Sequence, residues 1–225
     1  MTDRENDQHM IRSWLANAQA WADAVRHDKI ESRVAATNHA IVSTVTDLAP
    51  ASVLDVGCGE GWLARSLAVH GVDVLGVDAV PGLVQQANEA GGARFSVCSY
   101  EEIAAGALTE KFDAVVFNFS LFGDELVSRL FATVPSLLNP GGCCVVQTVH
   151  PLAVGGELPY QDGWRTGFRD GLGDAFQDPP PWYFRTLASW VALFSDNRLR
   201  VVRLREPMAP GASVPSSLVL VGQAG

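Results

Sequence analysis

The sequence predicts an α/β fold, a doubly wound sheet of seven strands whose end is antiparallel. Three observations predict it. Short apolar runs alternate with helical patterns through residues 51–150, the order of a parallel sheet with crossover helices. Runs such as "FDAVVFNF" are continuously apolar, as strands covered on both faces are. The last two strand candidates, "RLRVVRLRE" and "SLVLVGQA", have a loop but no helix between them, so they read as an antiparallel hairpin closing the sheet.

The elements follow in order. Ile11, Trp14, Leu15, Ala18, Ala22 and Val25 recur at helical spacing and predict an amphipathic helix over residues 9–28. A second helix fits Ser32 to Leu48, with Val34, Ile41, Val45 and Leu48 on one face and Pro50 ending it. "SVLDVG" is the first strand, and "GWLARSLAVHG" a short helix closed by Gly71. "VDVLGVD" is the second strand, followed by "PGLVQQANEAG", a helix with proline near its start. "ARFSVCS" is the third, with a helical stretch near "YEEIAAGAL", and "FDAVVFNF" the fourth. "DELVSRLFATVPSLLN" is a helix with a kink expected at Pro135, "CCVVQTVH" the fifth strand, and "TLASWVALFSD" the last helix. No internal repeat and no linker divides the chain, so residues 1–225 read as a single domain: a helical cover (1–50), a core (51–150), an inserted lid (151–184), and a C-terminal helix with hairpin (185–225).

Composition narrows the function classes. Forty-eight per cent of the 225 residues are apolar, enough for one sizeable packed core. A formal net charge of −9 argues against a protein held to nucleic acid by a basic field. The opening "MTDRENDQHM" is polar rather than a signal peptide, and no run approaches the roughly 20 apolar residues that span a bilayer. Cys58, Cys98, Cys143 and Cys144 show no metal spacing, and reduced thiols of a cytoplasmic protein are the simplest reading. His9, His27, His39, His70 and His150 are scattered, so no metal site is expected.

The chemistry concentrates at "VLDVGCGEG", residues 53–61, where an apolar strand stops at a glycine-rich turn. A dinucleotide fingerprint needs G-x-G-x-x-G, but Trp62 holds the third glycine's position, and no G-K-[ST] makes it a P-loop. What remains is a turn whose backbone can approach a ligand closely, with Asp55 just inside the strand end. Asp78 closes the second strand, where a carboxylate can take two ribose hydroxyls of an adenosine; capping the next helix is the competing reading.

On "VLDVGCGEG", "VLGVDAVPGLVQQA", "FDAVVFNFSL" and "LLNPGGCCVV", the stretch from Val53 to His150 resembles the class I S-adenosylmethionine-dependent methyltransferases. The resemblance implies a Rossmann-like seven-stranded sheet with an antiparallel last strand, S-adenosyl-L-methionine as cofactor, and residues 51–150 as its binding core. It places Asp55, Gly57, Cys58 and Gly59 around the methionine portion, Asp78 on the ribose, Ala79 against the adenine, and Asn118 and Phe119 along the pocket. Many family members carry an aspartate after the third strand for the adenine amino group. Ser99-Tyr100-Glu101 stand there instead, leaving the Ser99 side chain, the Tyr100 backbone or Glu101 to read the base.

Methyl transfer from a sulfonium is an in-line displacement with an activated leaving group, so positioning and exclusion of water supply most of the catalysis, and no triad or metal is required. In an open α/β sheet, ligands gather beyond the carboxyl ends of the strands. His150 ends the fifth strand and is expected to face the acceptor as a base or hydrogen-bonding anchor. The long segment after it carries Tyr160, Trp164, Arg165, Phe168, Trp182, Tyr183 and Arg185, which read as a substrate pocket, with Tyr160, Trp164 and Arg165 foremost. Packing of that segment onto the body is the competing reading. Trp14 and Trp21 share a helix face, which more often means core than site. Arg33, at the start of the second helix, is placed to fork the cofactor's carboxylate; a surface pair with Glu31 or Asp28 is its alternative. The favoured function is methyl transfer to a small-molecule acceptor. The alternatives are a methyltransferase acting on protein or nucleic acid, and a non-catalytic S-adenosylmethionine-binding protein.

Overall fold

A computed structural model describes residues 2–154, 158–166 and 178–225. Helix α1 (Asp3–Arg26) starts earlier than its apolar periodicity suggests, because Thr2 and Glu5 form a capping box: the Glu5 N–H donates to Thr2 Oγ1 at 3.3 Å and the Thr2 N–H to Glu5 Oε2 at 2.7 Å. The second helical region is not one α-helix. It opens with a π-helical turn (Arg33–Thr37) and continues as α2 (Asn38–Thr46).

The core alternates as expected: β1 (Ser52–Val56), α3 (Trp62–Ala68), β2 (Asp73–Asp78), α4 (Pro81–Ala90), β3 (Arg94–Val97), α5 (Tyr100–Ala104), β4 (Phe112–Asn118), α6 (Glu125–Leu137) and β5 (Leu138–Val149). Pro135 falls in the last turn of α6, which ends at Leu137. A short helix α7 (Pro151–Val154) follows. Strands β6 (Gly163–Arg165) and β7 (Trp182–Phe184) then pair as a small antiparallel ribbon. The chain ends with α8 (Leu187–Asp196), β8 (Leu199–Arg205) and β9 (Ser217–Ala224).

The seven strands lie in the order β3-β2-β1-β4-β5-β9-β8. Strands β1 to β5 are parallel, and β9 runs antiparallel to both β5 and β8, the hairpin end that the sequence predicts. Alternate residues of each central strand feed opposite faces. Leu54, Val115, Phe117 and Val146 pack with Leu130, Phe131 and Phe194 of α6 and α8. Val53, Val116 and Val145 pack with Ile41, Leu63 and Leu67 of α2 and α3. The sheet winds outward in both directions from the β1/β4 pair, so a crevice opens beyond their carboxyl ends. No helix among the described residues is long and apolar enough to cross a membrane.

Candidate functional site

That crevice holds a cavity of about 330 Å³. Its floor is the turn after β1, and the turn is folded back onto β2. The N–H groups of Gly57 and Cys58 both donate to the Val77 carbonyl, at 2.8 and 3.0 Å, and the Gly59 N–H donates to Asp78 Oδ2 at 2.9 Å. These amides are therefore engaged within the protein, and what the turn offers a ligand is closeness. Gly57 has φ +77°, and a Cβ there would lie 2.5 Å from Ser120 Cβ and 3.0 Å from the Tyr100 hydroxyl. At Gly61 (φ +85°) a Cβ would lie 2.6 Å from the Phe95 ring.

The acids under the turn are tightly enclosed. Asp78 accepts from Gly59 on one oxygen and from the Val80 N–H on the other, at 2.9 Å each, and its remaining lone pairs stay available to a ligand. Burial pushes its carboxyl up, against the pull of those backbone donors. Asp55 is 1% exposed and its Oδ2 has no partner among the described residues. Burial, with the charge of Asp78 second, pushes its carboxyl from 3.8 up to about 7. Burial first, then the same two acids, raises the Cys58 thiol well above its ordinary value, so it is no thiolate nucleophile.

The far wall comes from β4. Asn118 has a buried Oδ1 without a partner among the described residues, and Phe119 sits at φ +52° with its N–H on the Gln147 carbonyl at 2.8 Å. The Tyr100 hydroxyl donates to the Ser120 carbonyl at 2.8 Å, and burial raises its phenol. Ser99 is the N-cap of α5, its hydroxyl accepting from the Glu102 N–H at 3.2 Å. Ala79, Ser99, Tyr100 and Glu101 all line the cavity.

Arg33 reaches the cavity from the π-helical turn. Its guanidinium is 6% exposed and lies 4.8 Å from the Trp62 ring centroid and 5.7 Å from that of Trp21. Nε donates to Asn38 Oδ1 at 3.2 Å, whereas Nη2 has no partner among the described residues. Burial lowers its pKa to about 10. No ion pair with Glu31 or Asp28 forms among the described residues; Asp28 acts on Arg33 at longer range.

The sequence-derived candidates His150, Tyr160, Trp164, Arg165, Trp182, Tyr183 and Arg185 do not line this cavity. His150 is 2% exposed, its Nε2 3.0 Å from Glu206 Oε1 and its Nδ1 accepting from the Leu152 N–H at 3.2 Å, so its ring ties the end of β5 to the segment after β8. The Tyr160 hydroxyl accepts from the Leu187 N–H at 2.9 Å. Trp164 Nε1 donates to Asp3 Oδ1 at 2.6 Å, and Arg165 donates to the carbonyls of Pro159 and Gln161 at 2.8 and 2.9 Å. Arg165 thus ties the inserted segment to itself, and Tyr160 and Trp164 fasten that segment to the body. Arg185 does likewise, donating to the Gly123 carbonyl at 2.7 Å and pairing with Asp124 at 3.0 Å. Phe168 lies outside the described residues.

Residues that the sequence reading passed over complete the cavity. Met10, Trp14 and Trp21 of α1 face Phe122 and Leu126 across it, with Trp14 stacked on Phe122 at 5.7 Å. The shared face of Trp14 and Trp21, read from the sequence as core, lines the cavity, and Trp21 also packs against Ala24 and Ile30. Glu60, in the turn itself, also borders the cavity. Among the described residues, no group of three or more His, Cys, Asp or Glu side chains is placed to hold a metal ion.

Residues 53–142 match a family model described as a methyltransferase domain. Ubiquinone biosynthesis O-methyltransferase of Xanthomonas oryzae pv. oryzae is 33% identical over 148 residues, which are 64% of this chain and 62% of that protein. The human mitochondrial ubiquinone biosynthesis O-methyltransferase is 27% identical over 163 residues, 64% of this chain and 44% of that one. The chain thus spans less than two thirds of the length of these relatives. Among solved structures, the Burkholderia thailandensis 1,6-didemethyltoxoflavin-N1-methyltransferase, with 1,6-didemethyltoxoflavin and S-adenosylhomocysteine bound, superposes with a TM-score of 0.69 at 18% identity, covering 100% of this chain and 91% of that one. The Synechocystis magnesium protoporphyrin IX methyltransferase with bound S-adenosylhomocysteine gives 0.68 at 19% identity, covering 97% and 100%.

Proposed function

We propose, on the premise that this chain carries a class I S-adenosylmethionine-dependent methyltransferase domain, that it transfers a methyl group from S-adenosyl-L-methionine to a small-molecule acceptor by in-line displacement. The observation that carries the reading is the composition of one cavity. Its lining combines residues with buried polar atoms that have no partner among the described residues, at Arg33 Nη2, Asp55 Oδ2 and Asn118 Oδ1, with the apolar side chains of Met10, Trp14, Phe122 and Leu126. Unsatisfied buried polar atoms of this kind cost stability unless a ligand completes them.

The residues present fit the cofactor. Asp78 keeps lone pairs for the ribose hydroxyls, Ala79 flanks the adenine, and the Ser99 side chain, the Tyr100 backbone or Glu101 reads the base. Arg33 takes the carboxylate. Bound S-adenosyl-L-methionine supplies a methyl group on a sulfonium, already activated for displacement. The chain's part is to hold the acceptor in line and keep water away, which Trp14, Phe122, Met10 and Leu126 do by enclosing it in apolar surface. The small-molecule reading is further supported by the named acceptors of the similar proteins and by the net charge of −9, which disfavours nucleic acid.

Titration calorimetry tests the reading. S-adenosylhomocysteine should bind and NAD should not. Arg33→Met should weaken S-adenosylhomocysteine about tenfold or more while leaving a decarboxylated analogue unaffected. Tight NAD binding with no response to S-adenosylhomocysteine would sink the proposal. Binding without turnover on any acceptor would favour the non-catalytic alternative.

A further inference from the structure

The lining of the cavity divides by element. The residues that α1 and the stretch 118–126 contribute, Met10, Trp14, Trp21, Phe122 and Leu126 among them, carry no titratable group. Trp14 joins these two walls. It is stacked on Phe122 at 5.7 Å and 28°, and stands edge-on to Trp21 at 5.2 Å and 84°. Flat apolar faces of this kind suit a flat guest, held by area and by ring geometry. The titratable groups come from other elements, and most are engaged. The Tyr100 hydroxyl donates to the Ser120 carbonyl, and burial raises the Cys58 thiol. Asp78 accepts from two backbone N–H groups, and Glu60 pairs with Arg65 and Arg26. Asp55 has an unpartnered oxygen among the described residues, but burial keeps its proton on up to about pH 7. Glu101 is exposed, and Asp7, three residues before Met10, has its Oδ1 beside Gly123 and lines no part of the cavity. Among the described residues no histidine or lysine lines the cavity, and Arg33 is its one cationic side chain.

A weakly acidic hydroxyl, such as that of an aliphatic alcohol, needs a side chain to take its proton as the new bond forms. A hydroxyl that ionises in water near neutral pH needs none. We propose that the acceptor is a planar aromatic or heteroaromatic molecule with an acidic ring hydroxyl, bound as its oxyanion against Trp14, Phe122 and Met10. The assignment rests on the cofactor reading above and adds to it an acceptor class and an acceptor atom. The proton passes to solvent before the ring is enclosed. An oxygen lone pair then forms the bond to the methyl carbon while the carbon–sulfur bond breaks and its electron pair returns to sulfur. A cation and an anion become two neutral products, and no side chain gains or loses a proton. Walls without charge leave the attraction between sulfonium and oxyanion little screened, so the ionised ring is favoured there when the cofactor's positive charge lies beside it. His150, tied to Glu206 and absent from the lining, has no part in this step.

The experiment uses the full chain with para-nitrophenol, whose ionised form is coloured, para-cyanophenol, and benzyl alcohol, an aromatic alcohol that stays protonated. Beside a non-transferring cofactor analogue with an ammonium in place of the sulfonium, para-nitrophenol should bind in its coloured form, about tenfold more tightly than beside uncharged S-adenosylhomocysteine. Trp14→Ala should weaken it about tenfold, and Trp14→Phe less than about threefold, while S-adenosylhomocysteine binding stays within about twofold. If Trp14→Ala does not fold, Phe122→Ala should show the same split. With S-adenosyl-L-methionine, the phenols and not benzyl alcohol should be methylated, and the rising limb of rate against pH should move with the ionisation of the phenol used. Binding of the colourless form, benzyl alcohol methylated as fast as the phenols, or no transfer to either phenol overturns the proposal. A limb that is the same for both phenols and vanishes in Asp55→Asn or Glu101→Gln overturns it in favour of a protein base. A parent that binds S-adenosylhomocysteine but neither phenol overturns the acceptor class and leaves the cofactor reading standing. One that does not bind S-adenosylhomocysteine overturns both.

Discussion

Asp55 is a buried acid without a partner on one oxygen among the described residues, and pH reveals its cost. The carboxyl is fully enclosed at the end of β1, and its rise from 3.8 to about 7 means that the folded protein holds this proton more tightly than the unfolded chain does. The sign follows from that. The stabilisation is fully present below the unfolded value of 3.8 and is lost as pH rises through about 7. Between pH 5.5 and pH 8 the ligand-free protein should lose about 2 kcal/mol of stability through this one group. Asp55→Asn should flatten that slope, as measured by urea unfolding at the two values, and a parental slope unchanged in the variant would show that the proton sits elsewhere. The acid was legible in "VLDVGCG" because its place at the strand end is fixed by local pattern. Its unpartnered oxygen was not, since that depends on which neighbours the fold brings near. The same distinction separates Arg33 from His150. Arg33 was placed by asking what cation could reach the carboxylate of a cofactor from the cover, whereas the ring of His150 answers to Glu206, fifty-six residues away.

At the scale of elements, the cover helix α1 is held by polar latches as well as by small apolar contacts. Its apolar contacts to the body include a small cluster of Ala22 with Val80 and Leu83. Asp7 instead reaches the start of α6, where burial pushes its carboxyl up against the pull of the Leu126 and Asp124 backbone, and its Oδ1 has no partner among the described residues. Asp124 itself makes no side-chain cap bond, which leaves the first turn of α6 beside the Asp7 carboxylate. A Cβ on Gly123 would lie 2.6 Å from Asp7 Oδ1, which is why the residue there has no side chain. Ser13 donates to the Asp178 carbonyl at 2.7 Å and Trp164 to Asp3, adding two further latches. Asp7→Ala should therefore cost about 1 kcal/mol locally, and hydrogen exchange in α1 should quicken about fivefold while the strands of the sheet keep their protection. A uniform loss of protection across the sheet would mean that α1 is part of the global fold. None of these latches has a sequence period. The early start of α1 was signalled by the Thr2–Glu5 capping box, but the ribbon of "GWR" with "WYF" is too short for alternation to announce, and the π-helical turn breaks a pattern that otherwise reads as unbroken helix.

Over the whole molecule, the strand sequence was readable because each strand's apolar run is its own signal, and the antiparallel end was readable from a missing helix. Sheet order and the convergence of α1 on the cavity are long-range facts, and these decide what a ligand touches. The order β3-β2-β1-β4-β5-β9-β8 sets two halves side by side. The cavity is lined from the turn after β1, the ends of β2 and β4, the start of α5, and the cover, so a ligand there bears on the β3-to-β4 half. Strands β9 and β8 pack through α8 and contribute no lining residue. Binding should then stabilise the protein as a whole by mass action while protecting it unevenly. At S-adenosylhomocysteine a hundredfold above its dissociation constant, stabilisation should be about 2.7 kcal/mol, raising the melting temperature about 5–10 °C. Exchange mapped on the same sample should slow most in α1, in residues 57–61 and around Ser99–Glu101, and least in β8 and its loop to β9. Protection centred on β8 and β9 instead would place the ligand beside the cleft of Ala36, His39 and Glu206, on a different part of the molecule from the glycine turn, and would remove the physical basis for reading Asp78, Arg33 and Trp14 as parts of one site.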